Sequence, residues 1–214
     1  MKEDDSTLFD RQCDHRESRE QTRPCAELVA EARRCADIMR KGGIILYPTD
    51  TVWGIGCDAT NSEAVRRIYD LKRRADSKAM IVLADSVSML ERHVDEVPEV
   101  AYQIIDAAVT PTTIVYDKGR GLAENLLASD GSVGIRVTSD LFCQTLCRQL
   151  RRPIVSTSAN ISGAPAARFY HDIAKEILDG ADYVAAWRRE DTTSARPSSV
   201  IKLSANGEVK ILRG

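Results

Sequence analysis

The chain reads as one α/β domain on an open twisted sheet, and three observations predict it. Strand and helix patterns mix along almost the whole of its 214 residues. A hydrophobic content of 43% suffices for one sizeable core, or one core with a small appendage. A closing pair of strand patterns at 199–203 and 208–212, with Asn206-Gly207 between them, calls for antiparallel pairing, so the sheet is expected to be mixed.

Each element has its own signal. Residues 1–23 are rich in Asp, Glu, Arg, Gln and Ser, which predicts a flexible extension ahead of a domain at 24–214. Leu28, Val29, Ala32, Cys35, Ala36, Ile38 and Met39 then recur at helical spacing over 25–41, and Gly42-Gly43 stop that helix. Ile44 to Tyr47 form a buried strand closed by Pro48. Asn61 or Ser62 caps a helix that runs to Leu71 with Val65, Ile68 and Leu71 as its apolar stripe. Further strands are predicted at 80–84, 113–116, 133–137 and 153–156, and helices near 97–108, 139–150 and 171–178.

Charge and cysteine usage narrow the functional classes. The formal net charge is −2 and the isoelectric point about 6.0, so no global basic field serves nucleic acid or an anionic membrane, and any anion site must be local. Cys13, Cys25, Cys35, Cys57, Cys143 and Cys147 contain no C-x-x-C pair and are accompanied by three histidines, which argues against a zinc site. Cys143 and Cys147 would share a helix face as ordinary packing. The chain opens on charged residues and has no bilayer-length apolar run, so a reduced cytoplasmic setting is expected, with no membrane partner.

Three segments carry chemistry. Ile154 and Val155 empty into Ser156-Thr157-Ser158-Ala159-Asn160-Ile161-Ser162-Gly163, either a turn satisfying its own backbone or a ligand edge of hydroxyls and an amide. Tyr47-Pro48-Thr49-Asp50-Thr51-Val52-Trp53-Gly54-Ile55-Gly56 leaves a strand and sets two threonines in a glycine-closed loop able to wall a small polar substrate, or forms a structural turn. Lys72-Arg73-Arg74 with Lys78 is either a solvated helix end or a triphosphate site. Lys72 and Arg74 would point to different sides of a continuing helix, so they converge on one anion only if the chain has left helical geometry. Gly54-Ile55-Gly56-Cys57-Asp58-Ala59 formally fits G-x-G-x-x-A, but polar residues separate it from its strand and the helix starts late, which disfavours an NAD(P)-dependent oxidoreductase. A Walker-type phosphate loop is absent from the sequence.

Taken in order, Y-P-T-D-T-V-W-G-I-G, K-R-R-x-x-x-K and S-T-S-A-N-I-S-G resemble the YrdC/Sua5/TsaC family of threonylcarbamoyl-AMP synthases, over about residue 28 to Arg213. The resemblance implies a YrdC-like fold with a concave basic cavity that takes ATP, with Mg²⁺, and L-threonine. With bicarbonate as third substrate it would form L-threonylcarbamoyladenylate and pyrophosphate. Downstream transfer proteins would deliver the product to tRNA position 37. No tightly bound cofactor or resident metal is implied, and no enzyme nucleophile is needed, because positioning and charge stabilisation carry such a reaction.

By motif, the resemblance implies that Thr51, Thr113, Ser156 and Ser199 contact threonine, and that Arg74, Lys78, Ser158 and Arg213 contact ATP. Lys72 and Arg74 would be the catalytic cations, with Asn160 and Arg136 in support. Where relatives commonly carry P-G-P-x-T, this chain reads Val109-Thr110-Pro111-Thr112-Thr113, and K/N-P-L reads Lys78-Ala79-Met80. The ending at Arg213-Gly214 suggests the short form of the family. A YciO-like RNA-binding or regulatory member is the alternative, with RNA affinity weakened by the acidic balance.

Overall fold

The computed structural model describes residues 24–74, 80–192, 197–204 and 208–214. The expected extension at 1–23, Lys78 and the Asn206-Gly207 turn lie outside the described residues. Along the chain stand α1 Ala26–Arg40, β1 Ile45–Tyr47, β2 Gly54–Gly56, α2 Ser62–Leu71, β3 Ile81–Ala84, α3 Val87–Arg92, α4 Glu99–Ala107 and β4 Thr112–Tyr116. They are followed by β5 Val133–Val137, α5 Leu141–Leu150, β6 Ile154–Ser158, α6 Lys175–Gly180, β7 Tyr183–Val184, β8 Ser199–Leu203 and β9 Val209–Arg213.

The strands form one mixed sheet in the order β7-β1-β2-β6-β3-β5-β4-β8-β9. Pairs β1/β7, β3/β5 and β4/β8 are parallel, and the other neighbours are antiparallel. On the helical side, α1 packs along α5. Leu28, Ala32, Cys35, Ala36 and Met39 are buried on α1, and Phe142, Cys143, Leu146, Cys147 and Leu150 on α5. The thiols of Cys143 and Cys147 point at the carbonyls of Pro48 and Leu83, each at 3.7 Å. Burial pushes both thiols well above the usual range, so they are core groups and not nucleophiles. No described helix is long and apolar enough to cross a membrane.

Four elements differ from expectation. Gly54–Gly56 reads as loop because two of its three residues are glycine, yet it lies between β1 and β6 as a paired strand. Gly56 is required there, since a Cβ would sit 2.1 Å from the Val155 carbonyl oxygen. A dinucleotide fingerprint needs these glycines at a strand-to-helix turn, and they are not. Helix α3 and the two-residue β7 were too short to register as periodic patterns. The expected helix at 171–178 is split into a 3₁₀ turn, Tyr170–Asp172, and α6.

Candidate active site

Strand registers assemble the floor of the site. Residues directly opposed across a sheet share a face, and the pairs Gly54↔Ser158, Ile81↔Ser156, Leu83↔Arg136, Val115↔Gly134 and Thr113↔Val200 link five joints of the sheet. Stepping two residues along each strand therefore brings Ser156, Ser158, Ile81, Gly134, Arg136, Thr113, Val115 and Val200 onto one surface. All of these line a cavity of about 450 Å³, together with Thr51, Arg74, Asn160, Ser198 and Arg213. The strand β6 runs on through Ser158, so Ser156 and Ser158 are strand residues on the same face and not a self-satisfied turn.

Thr51 stands at one wall on a loop braced by a neighbour. The Thr49 hydroxyl donates to the Val52 carbonyl at 2.8 Å, accepts from the Thr51 amide at 3.0 Å and lies 2.8 Å from the Thr51 hydroxyl. Trp53 of the same loop is buried, its ring 5.3 Å from that of Tyr170. It supports the loop and does not line the cavity. Asp50 accepts from Arg136 Nη1 at 2.5 Å, an ion pair whose arginine side chain is only 4% exposed. The Arg136 Nε is buried with no hydrogen-bond partner among the described residues.

The basic cluster separates because the helix ends inside it. Asn61 caps the start of α2, accepting from the amides of Glu63 and Ala64. At the other end Arg73 adopts a left-handed φ of 49°, and the Arg74 amide reaches back to the Tyr69 carbonyl at 2.9 Å. Three successive cations then go three ways. Arg73 turns outward to Glu176 at 2.7 Å. Arg74 lines the cavity, and loss of hydration lowers its pKa. Lys72 is 1% exposed and drives its ammonium beneath the end of β6, donating to the carbonyls of Ser158 and Asn160. Burial, with the nearby Arg74 charge adding to it, lowers the Lys72 pKa from 10.5 to about 8.

Asn160 completes this corner. Its side-chain amide donates to the carbonyls of Ile161 at 2.9 Å and Ala164 at 2.6 Å, holding the turn after β6. The opposite wall is built from β4 and the chain end. Fully buried Thr113 shares a 2.9 Å hydroxyl contact with Ser198. Arg213 donates to the Ser198 carbonyl through Nε at 3.0 Å and Nη2 at 2.7 Å.

The structure thus brings together Thr51, Arg74, Thr113, Arg136, Ser156, Ser158, Asn160 and Arg213. It leaves Lys72 and Ser199 outside the lining, and Lys78 outside the described residues. Ser198, one residue earlier than the serine expected from the motif, faces the cavity. Sequence reasoning missed it, along with Gly134 and Val115. Their signal was present as a two-residue repeat, but its face depends on pairing partners remote in the chain.

Such a site defines a class: an α/β protein whose sheet face presents hydroxyls for a small polar substrate and arginines for an anion. The chain belongs to the Sua5/YciO/YrdC family, whose model, described as "telomere recombination", matches residues 37–214. It is 37% identical over 158 residues to a threonylcarbamoyl-AMP synthase of Pseudomonas aeruginosa, covering 70% of this chain and 85% of that one. A threonylcarbamoyl-AMP synthase of Idiomarina loihiensis is 30% identical over 178 residues, covering 81% and 94%. Among solved structures, P. abyssi Sua5 complexed with L-threonine matches with a TM-score of 0.73 and 27% identity, covering 82% of this chain and 51% of that one. This chain therefore spans about half the Sua5 chain. E. coli YciO shares the fold, with a TM-score of 0.75 at 24% identity over 86% of this chain and 89% of that one.

Proposed function

We propose that the protein is an L-threonylcarbamoyladenylate synthase, forming threonylcarbamoyl-AMP and pyrophosphate from L-threonine, bicarbonate and ATP in the route to N6-threonylcarbamoyladenosine at tRNA position 37. The observation that carries this reading is the convergence of Thr51, Thr113, Ser156 and Ser158 with Arg74, Arg136 and Arg213 on one cavity of about 450 Å³.

In this reading the threonine amine attacks the bicarbonate carbon, and loss of water leaves a carbamate. A carbamate oxygen then attacks the α-phosphorus of ATP, forming a P–O bond as the bond to pyrophosphate breaks. Thr51, Thr113 and Ser156 hold threonine. Ser158, Arg74 and Arg213 hold the nucleotide, with the arginine forks matched to phosphate oxygens. Lys72 serves by position: it fixes the Ser158 and Asn160 carbonyls and so the direction of both serines. The described lining contains no carboxylate, so Mg²⁺ would enter on the ATP phosphates and not on a protein ligand. Lys78 is assigned to the phosphates by motif alone. The labile product would pass to downstream tRNA transfer proteins.

Purified protein is expected to release pyrophosphate from ATP only when threonine, bicarbonate and Mg²⁺ are all present. Release that ignores threonine would sink the synthase assignment. RNA binding with no release would favour the YciO-like alternative.

A further inference from the structure

Strand β4 sends Thr113 and Val115 into the main cavity, so Tyr116 points to the opposite face of the sheet. There it lines a separate cavity of about 320 Å³, which shares no lining residue with the first. Pro98 and Leu203 complete its apolar surface, and Asp95, Glu96, Asp117 and Lys118 are its charged groups. The carboxylates come from two stretches of chain about twenty residues apart. A β-bridge between Val94 and Gly119, with a 3.1 Å bond from the Asp95 amide to the Lys118 carbonyl, clamps those stretches side by side.

Part of this negative charge is answered within the protein. Asp117 lies 4.0 Å from the Lys202 ammonium, which sits closer to Asp130, at 3.5 Å. Asp95 and Glu96 make no side-chain hydrogen bond or ion pair among the described residues. Exposed carboxylates are ordinarily just solvated, and by themselves these three would mark nothing. The independent observation is Tyr116. It is 1% exposed, and its hydroxyl is buried with no hydrogen-bond partner among the described residues. Leaving such a group unpaired costs about 1–3 kcal/mol, and solvation of the nearby carboxylates does nothing to offset it. Burial pushes the phenol's pKa up, so it keeps its proton and offers an oxygen lone pair to a donor.

We infer that this cavity binds an aliphatic polyamine. Its ammonium groups pair with Asp95, Glu96 and Asp117, and its methylenes lie against Pro98 and Leu203. An N–H donor drawn in by the carboxylates also gives the Tyr116 oxygen the partner it lacks. A bare divalent cation fits less well, because among the described residues no three carboxylate, imidazole or thiol groups are placed to hold a metal ion. A quaternary ammonium would call for several aromatic faces, and the lining has one ring. A protein partner would call for an exposed apolar or aromatic anchor, whereas Tyr116 and Leu203 are each 1% exposed. The inference stands on this cavity alone and does not depend on the reaction proposed for the first.

The test is isothermal titration of spermidine into the full chain, as native protein, Asp95→Asn/Glu96→Gln and Tyr116→Phe. Glu27→Gln/Glu63→Gln is the control, removing the same charge from residues outside the cavity. The cavity pair is expected to lose roughly tenfold or more in affinity and the control pair less than about twofold, since only close charge-assisted contacts escape screening by salt. Tyr116→Phe should weaken binding several-fold, while its urea midpoint without ligand stays level or rises, because an unpartnered hydroxyl has been removed. A residue with a purely structural role would not give that combination. If the cavity pair does not fold, Glu96→Gln alone is read in its place, with a loss of about threefold or more expected. No spermidine binding by native protein, equal losses in the cavity and control pairs, displacement by Mg²⁺ at equal concentration, or a Tyr116→Phe variant that is destabilised yet binds normally would each overturn the inference.

Discussion

Two walls of the main cavity carry the same chemistry, hydroxyls beside an arginine, on supports of opposite character. The wall at Ser156 and Ser158 belongs to β6, in the middle of the sheet, flanked by β2 and β3 and underpinned by the buried Lys72. Across the cavity, Ser198 leads into β8, next to the sheet edge, and is held by Arg213 from β9, every residue of which is exposed. The register between β8 and β9 slips at Val200/Ile201. Ile211 and Leu212 stand 73% and 52% exposed on that edge. Similar functional groups can therefore be offered by a stiff centre and by a thin margin. The first fixes geometry, whereas the second can yield as substrate enters.

The largest expected effect is at Lys72. Lys72→Met leaves the Ser158 and Asn160 carbonyls without their ammonium donor, and urea unfolding should show a loss of about 2 kcal/mol. Pyrophosphate release should nearly vanish, since both serines lose their frame. Arg213→Ala should reduce kcat/KM by roughly tenfold, the scale of one charge-assisted contact, while the unfolding midpoint stays almost unchanged. Equal destabilisation by the two variants would abolish the distinction between the walls.

Serines 198 and 199 sharpen the margin. Ser198→Ala should raise the threonine requirement several-fold through loss of the Thr113 contact, whereas Ser199→Ala should leave both substrates' KM values alone. A reversed result in steady-state kinetics would mean that β8 is turned the other way when substrate is bound. The smallest effect is in pH. With the Lys72 pKa lowered to about 8 by burial and by Arg74, the unfolded chain holds more protons than the folded one between about 8 and 10.5. Native stability should therefore rise with pH through that window relative to Lys72→Met, measured by parallel urea titrations. A relative fall would contradict the placement of the ammonium in a desolvated site.

Much of this was legible in advance. The apolar stripes of α1 and α2 were readable because a 3.6-residue period is local, and the T-D-T loop and Ser156-Thr157-Ser158 announced themselves by residue type. Legibility failed for β2, where Gly-Ile-Gly becomes a strand only because β1 and β6 lie on either side. It failed again at Ser199, where a family motif pointed one residue away from the serine that faces the cavity.

By itself the sequence determined which chemistry the protein has available: hydroxyls, amides and cations in three segments of an α/β chain with no C-x-x-C pair and three histidines. Tertiary structure alone decided which of those groups meet. A strand alternates its faces with a period of two, so one residue of register exchanges lining for core, and register is set by partners scores of residues away. The left-handed turn at Arg73 likewise sends Lys72 beneath β6 and Arg74 into the cavity, giving two cations two residues apart different tasks.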